Sequence, residues 1–207
     1  AMEEGKHVLS EKPMALSMTA AEDMIRKAED NRVKLAFGFQ RRFMEEFRKY
    51  KKIMEEDLFK TPLLVSFNDI RSIRTVVSKP KMHDAVEGNG GPMVDMICHI
   101  TDLTRWYTQS EPIRVTAKNF TFAENRPELK SVENIAADTG AILIEFEDSS
   151  ILNVNISWGL PPRENTEERS NFNIMGVNGL IDNKLEQVSL SSQEQKEVKS
   201  PELGVLN

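Results

Sequence analysis

The sequence holds a single cysteine, Cys98, among 207 residues, so no internal disulfide can form. One thiol fits a reducing cytoplasm. Histidine is almost as scarce. His7, His83 and His99 are scattered, and with one cysteine they form no metal-ligand spacing, so no metal site is expected. No run of about 18 apolar residues occurs, which excludes a helical membrane span. No segment reads as a signal peptide. Positive charge is not in excess: 27 Lys and Arg stand against 33 Asp and Glu, for a net charge of -6. That excludes the basic footprint of a nucleic-acid binder. The basic run from Arg41 to Lys52 is interrupted by Glu45 and Glu46 and reads as a solvated helix face. There is no G-x-S-x-G elbow for a serine nucleophile. There is no G-x-G-x-x-G after a strand either, and Gly88-Asn89-Gly90-Gly91 lacks that spacing.

What is present is a globular balance, 39% hydrophobic and 29% charged. AMEEGK reads as the last turn of a helix ended by Gly5, and SPELGVLN stops without a closing element, so a stretch of a longer polypeptide is expected. His7 to Ser10 reads as a short strand. Ser17 to Asn31 has helical spacing, with Ala20, Met24, Ile25 and Ala28 on its apolar face and Ser17 or Thr19 as cap. Val33 to Phe39 is a second strand. Strand, helix, strand makes a βαβ unit with parallel strands. Glu11-Lys12-Pro13 and Gln40-Arg41-Arg42 then share the carboxyl edge of that sheet, where open α/β sheets bind ligands.

Phe43 to Asp57 is a second amphipathic helix, with Phe43, Phe47, Tyr50 and Met54 on one side, followed by a strand from Leu63 to Ile70. Residues 72–89 form a long loop, a length that is usually functional or disordered. Beyond the next helix the pattern is strands alone. These are Ile113 to Phe122, then Thr139 to Phe146 and Ile151 to Trp158 around Asp148-Ser149-Ser150. Phe172 to Val177 and Leu180 to Asp182 flank an Asn178-Gly179 turn. Further short strands are expected through 185–199. The change from alternating α/β to mainly antiparallel β places a domain boundary near residue 41.

One stretch is unusual. GNGGPMVDMICHITDLTRWY, from Gly88 to Tyr107, reads as a loop breaking into a helix that carries Asp95, His99 and Asp102. At about 100° per residue these fall on one stripe, with Trp106 in phase. The other faces are apolar: Val94, Met96, Ile97, Ile100 and Leu103. A titratable line on a helix built for burial is an odd structural choice and a natural catalytic one. Taken alone, His99 reads more readily as a satisfied core histidine, and Asp95 as a favourable first-turn charge. Their conjunction with Asp102 favours a site, and a neutral imidazole suits a general base near pH 7.

GKHVLSEKPMALS, VKLAFGFQRRF and GGPMVDMICHITDLTRWY, in this order, resemble the Gfo/Idh/MocA oxidoreductases. DTGAILIEF and ISWGLPP resemble that family's open sheet. The resemblance covers most of the chain. It implies an α+β fold: the C-terminal part of a Rossmann α/β domain over residues 1–40, then a mainly antiparallel open-faced β-sheet domain with helices on one face over 41–207, truncated at its C-terminus. It implies an NAD- or NADP-dependent dehydrogenase moving hydride between nicotinamide and a sugar, polyol or cyclitol. Lys12 would polarise the reacting oxygen, His99 would move the proton, and Asp95 would hold the pair. The Lys12–Pro13 bond is expected to be cis. Glu11, Lys12 and Pro13 would meet the cofactor, while Gln40, Arg41 and Asp102 would contact substrate hydroxyls. The family's association through the sheet face implies a homo-oligomer, dimer or tetramer. The missing glycine-rich loop implies that this stretch alone lacks the phosphate-binding half.

Several residues carry alternative readings. Arg41 or Arg42 is a substrate contact or a surface charge. Arg71 and Arg74 face an anionic group or, more simply, solvent. His83 reads as solvent-exposed, His7 as partnerless and Cys98 as packing. Trp106 is core or a sugar platform. The competing class for the whole protein is a non-catalytic sugar or dinucleotide sensor, or a corepressor.

Overall fold

The architecture follows from a computed structural model that describes residues 1–55, 59–72, 80–122, 124–161, 169–183, 187–190 and 196–197. The chain opens with a 3-10 turn at Met2–Glu4, closed by Gly5 in the left-handed region at φ 70°. Strand β1 (Val8–Ser10) and strand β2 (Leu35–Phe37) pair in parallel, Val8 opposite Leu35, across helix α1 (Met18–Asp30). This is the expected βαβ unit. Ser17 caps α1, its Oγ accepting from the Ala20 amide at 3.2 Å. Only Ala28 of the expected apolar face is buried. His7 is not partnerless: its Nδ1 accepts from the Lys34 amide at 2.9 Å.

A 3-10 turn at Gln40–Phe43 leads into helix α2 (Glu45–Glu55). Phe43 was expected on the apolar side of this helix. It lies instead in the turn ahead of it and is 80% exposed. Strand β3 (Leu64–Ser72) follows, then a 3-10 turn at Pro80–His83, and the helical stretch splits in two, α3 (Pro92–Asp95) and α4 (Ile97–Thr108). Residues 73–79 of the long loop, Arg74 among them, lie outside the described residues.

The remaining strands are β4 (Pro112–Phe120), β5 (Thr139–Phe146), β6 (Ile151–Leu160), β7 (Arg169–Gly176), β8 (Gly179–Asp182), β9 (Gln187–Leu190) and β10 (Lys196–Glu197). They join β3 in one sheet ordered β10-β9-β8-β7-β3-β6-β5-β4. Pairing is antiparallel except for β3 with β6. That exception is topological: β3 reaches its neighbour only through the crossover that carries α3 and α4. The β7–β8 turn sits one residue earlier than the sequence suggests. Gly176 pairs with Gly179 around Val177-Asn178, and neither turn residue takes a positive φ.

Alternation along the strands sends Val65 and Phe67, Ile142 and Ile144, Leu152 and Val154, and Phe172 and Ile174 to one face. Helices α2 and α4 cover that face with Phe47, Tyr50, Ile100, Leu103 and Tyr107. Phe172 stands at the centre, within 5.8 Å of the Phe47 ring and 6.3 Å of Phe67, centroid to centroid. Each such buried side chain contributes about 1.5–3 kcal/mol. The opposite face carries no layer among the described residues. Leu64, Leu143 and Met175 are exposed there, and Asn155 donates to the Asn68 amide oxygen across the strands at 2.9 Å. The fold is therefore α+β, with an open sheet and helices on one side.

Candidate active site

Two elements build the centre. The first is the loop after β1, whose Lys12–Pro13 bond is cis. The second is the α3–α4 junction. Gly91 makes the entry to α3: its φ is 70°, and a Cβ there would lie 2.8 Å from Ala136 Cβ. Glycine alone accepts both the left-handed backbone and the close approach. Pro92 follows at the first helical position. The helix then breaks at Met96, and His99 and Asp102 continue on α4. Asp95, His99 and Asp102 are all buried, at 4–5% exposure. The titratable stripe expected from spacing is thus a buried line, set between the fully buried Ile100 and Leu103 and the loops.

Lys12 reaches this line. Its Nζ donates to Asp95 Oδ1 at 2.6 Å and to the Asp95 carbonyl at 3.1 Å. Asn89 donates from Nδ2 to the same carboxylate oxygen at 2.9 Å. Two donors on one oxygen fix the carboxylate, and its other oxygen has no hydrogen bond among the described residues. Asp95 therefore holds Lys12; it makes no hydrogen bond to His99. Asn89 escaped sequence reasoning because a glycine-rich loop makes an asparagine look like a turn residue.

The His99 imidazole is buried, and its Nδ1 has no hydrogen-bond partner among the described residues. Its pKa is lowered to about 4, chiefly by burial, then by the charges of Arg41 and Lys12, with Asp95 opposing. It is neutral at physiological pH. A buried, neutral, unsatisfied imidazole beside a lysine–carboxylate pair suits a hydroxyl group that would complete it.

Both oxygens of Asp102 accept from Arg42, Oδ2 from Nε at 2.7 Å and Oδ1 from Nη2 at 2.6 Å, so this carboxylate ties the turn after β2 to α4. The Arg42 guanidinium also lies 5.7 Å from the Trp106 ring centroid. Trp106, partly buried and stacked on Tyr107, belongs to the edge of the core. Gln40 is exposed at the start of its turn, and Glu11 rests its carboxylate against Gly38. Arg41 is drawn inward between the rings of Phe47 and Phe67, 5.9 Å from each centroid. Cys98 donates to the Asp95 carbonyl at 3.3 Å, and burial raises its pKa.

Two polar residues are placed where the sequence did not put them. Arg71 is not a solvated loop residue: its Nε bonds both oxygens of the fully buried Asp69, at 2.9 and 3.0 Å. Trp158 Nε1 donates to Asp69 as well, at 3.2 Å. His83 is fully buried rather than exposed. It stands edge-on to Trp158 at 6.1 Å, neither ring nitrogen has a partner among the described residues, and burial lowers its pKa. Its position depends on the loop folding back onto residues 134–136, a long-range contact invisible to local pattern: Ala136 N donates to the His83 carbonyl at 2.7 Å. No cluster suited to a metal ion occurs among the described residues.

Comparison with known proteins supplies the family. Residues 1–39 match the model described as "Oxidoreductase family, NAD-binding Rossmann fold", and residues 47–182 match "GFO/IDH/MocA C-terminal domain". An uncharacterised oxidoreductase of Bacillus subtilis, YrbE, is 30% identical over 151 residues, 73% of this chain and 41% of that protein. The myo-inositol 2-dehydrogenase of Thermotoga maritima is 26% identical over 70% of this chain and 41% of its own length. Among solved structures, scyllo-inositol dehydrogenase from Lactobacillus casei with bound NAD(H) and scyllo-inositol superposes with a TM-score of 0.66 at 25% identity. That match covers 87% of this chain and 51% of the other. The chain thus spans about two fifths of the curated relatives it matches and about half of that structure. Both domain types are matched in the order the residues suggested, and the chain belongs to the GFO/IDH/MocA family of oxidoreductases.

Proposed function

We propose that this chain supplies the substrate side of an NAD(P)-dependent dehydrogenase acting on a cyclitol, polyol or sugar. The observation that carries the reading is the Lys12–Asp95 pair, both of whose charges act on the buried His99 with its unpartnered Nδ1. Relatives named as inositol dehydrogenases, one of them holding NAD(H) and scyllo-inositol, support the substrate class. The donor set suits the nicotinamide end of such a cofactor, with Glu11, Lys12 and Pro13 at the carboxyl edge of β1. The glycine-rich phosphate loop is not among these 207 residues. When bound, the cofactor supplies the hydride acceptor or donor.

The chain's own residues do the rest. Lys12, held by Asp95 and Asn89, donates a hydrogen bond to the reacting oxygen. His99 takes the hydroxyl proton during oxidation and returns it during reduction. Burial keeps water from His99, while Lys12 is only partly covered. Gln40, Arg41 and Asp102 border the space for the remaining substrate groups. The uncovered sheet face, with Leu64, Leu143 and Met175 exposed, supports association of two or more copies through that surface. A cytoplasmic setting accords with the single free Cys98.

The test is His99→Asn in the protein as expressed from its own gene, followed by nicotinamide absorbance with a panel of inositols and sugars. Turnover should fall about 10²–10⁴-fold, the usual contribution of general acid–base catalysis. Undiminished turnover would overturn the assignment.

A further inference from the structure

The chemistry proposed above makes no use of His83, although this ring is 0% exposed and neither of its nitrogens has a hydrogen-bond partner among the described residues. Buried polar groups are ordinarily paired, so an imidazole orphaned at both ends calls for a physical account. Trp158 of β6 stands edge-on to it, and the 3-10 turn Pro127–Leu129 packs against its own turn. The surrounding charges are committed elsewhere or lie in solvent. In its own turn Lys81 is exposed, and Asp84 Oδ1 accepts from the Val86 and Glu87 amides, both at 2.8 Å. From the packed segment, Lys130 and Glu133 are exposed, and Glu128 has one buried oxygen without a partner among the described residues. Beyond Trp158, Asp69 is taken by Arg71 and the indole. Asp138, at the head of β5, is the charge that acts on the ring. It favours the protonated form, but it already accepts from the Phe122 amide at 3.0 Å and the Thr139 hydroxyl at 2.6 Å, and burial outweighs it.

The ring anchors a loop that ends in the active site. Ala136 N donates to the His83 carbonyl and Ala85 N to the Asn134 carbonyl, both at 2.7 Å, and Gly90 N closes on the Asp84 carbonyl at 3.2 Å. Gly88 folds so tightly beneath that a Cβ there would lie 1.7 Å from the Lys81 carbonyl oxygen. Residues 81–90 are thus a closed loop with one buried polar ring at its base. At the far end Asn89 holds Asp95, and Gly91 opens α3.

We propose that His83 is an acid-released anchor: a proton on its imidazole opens the 81–90 loop and withdraws Asn89 from Asp95. An imidazolium in this place has no acceptor for either N–H among the described residues, and it regains hydration only when the loop lifts. In the open loop the ring titrates near its ordinary 6.5, whereas in the closed loop burial holds it lower. Protons therefore bind the open form first. His83 leaves the loop undisturbed above about pH 6.5 and favours opening increasingly as the pH falls below it. Between pH 7.5 and 5.5 one such group can raise opening by at most about 10-fold. Loop opening needs no turnover, so this stands or falls separately from the dehydrogenase reading.

The experiment is amide hydrogen exchange over residues 84–91 from pH 7.5 to 5.5, corrected for the intrinsic exchange rate. It uses the protein as expressed from its own gene and its His83→Phe and His83→Gln variants. Native opening should rise about 3- to 10-fold across this range. His83→Phe keeps a ring against Trp158 that cannot titrate, so its loop should stay closed and pH-independent. His83→Gln buries an unpaired amide that cannot titrate either. Its loop should open more than the native one at pH 7.5, again without pH dependence, which keeps the test decisive if the phenylalanine variant fails to fold. Four results would overturn the proposal. These are no rise in the native protein, a rise in either variant at least half as large as the native one, and His83→Phe opening more than native at pH 7.5, which would mark a hydrogen bond to the ring. The fourth is loop amides exchanging no faster than those of β3 and β6 at pH 5.5, which would mark global unfolding instead of a local release.

Discussion

His99 makes the site's electrostatics measurable through folding alone. The folded chain keeps this imidazole neutral down to about pH 4. An unfolded chain protonates it near pH 6.5. Between these values protons bind preferentially to the unfolded state, so this residue's effect on stability is nil above about pH 6.5 and grows as the pH falls toward 4. At about 1.4 kcal/mol per unit, a depression of this size removes about 3 kcal/mol by pH 4. His83, also buried and lowered, acts in the same direction, as do the carboxylates lowered by their partners, such as Asp84 and Glu111. A difference measurement isolates His99. Urea unfolding followed by tryptophan fluorescence, at half-unit steps from pH 7.5 to 4, should show native stability falling about 3 kcal/mol further than that of His99→Asn. Nuclear magnetic resonance titration of the imidazole should place its midpoint near 4, and Arg41→Gln should move it upward. Parallel pH curves for the two proteins, or a His99 midpoint at 6.5, would refute the buried, cation-flanked environment from which the proton-transfer role is argued.

Other expectations are more local. Gly91→Ala forces a Cβ against Ala136 and Ala137 in a left-handed backbone, and should cost about 2–4 kcal/mol by urea unfolding. Arg42→Met leaves the Asp102 carboxylate buried without its fork. Since water reaches Arg42, the loss should be about 1–3 kcal/mol, and Arg42→Met with Asp102→Leu should recover most of it. Asn89→Ala removes one of the two donors on Asp95 Oδ1 and should lower kcat about 3- to 10-fold, with native stability within about 1 kcal/mol.

The parts of the fold that were legible in the sequence are those governed by local periodicity. The βαβ opening, the Thr139–Ile151 hairpin and the buried stripe of Asp95, His99 and Asp102 lie where alternation or helical spacing put them. What escaped depends on partners distant in sequence. Phe43 carries an apolar residue's signature, yet the chain ahead of α2 takes a 3-10 turn and leaves it in solvent. His83 sits in a polar loop, and only the loop's return onto Ala136 buries it. Arg71 looked like a loop cation until β7 and β6 placed Asp69 and Trp158 in one interior. Within the site, residue identity announced Lys12 and His99. The roles of Asn89 and Arg42 are set by side-chain geometry that no spacing encodes. The break at Met96, which separates Asp95 from the helix bearing His99, interrupts an otherwise regular pattern without a proline to signal it.

The central claim is that Lys12, Asp95 and His99 together form the face against which hydride leaves or joins a polyol carbon. Deuterium tracing addresses it most directly. The protein as expressed from its own gene would be incubated with NAD or NADP and with C-deuterated inositol or sugar, and the recovered cofactor examined by mass spectrometry. The account predicts one deuterium transferred to the nicotinamide ring, with the transfer rate reduced at least about 100-fold in Lys12→Met and in His99→Asn. Transfer at an undiminished rate in both variants, or no deuterium in the cofactor from any substrate tried, would contradict it.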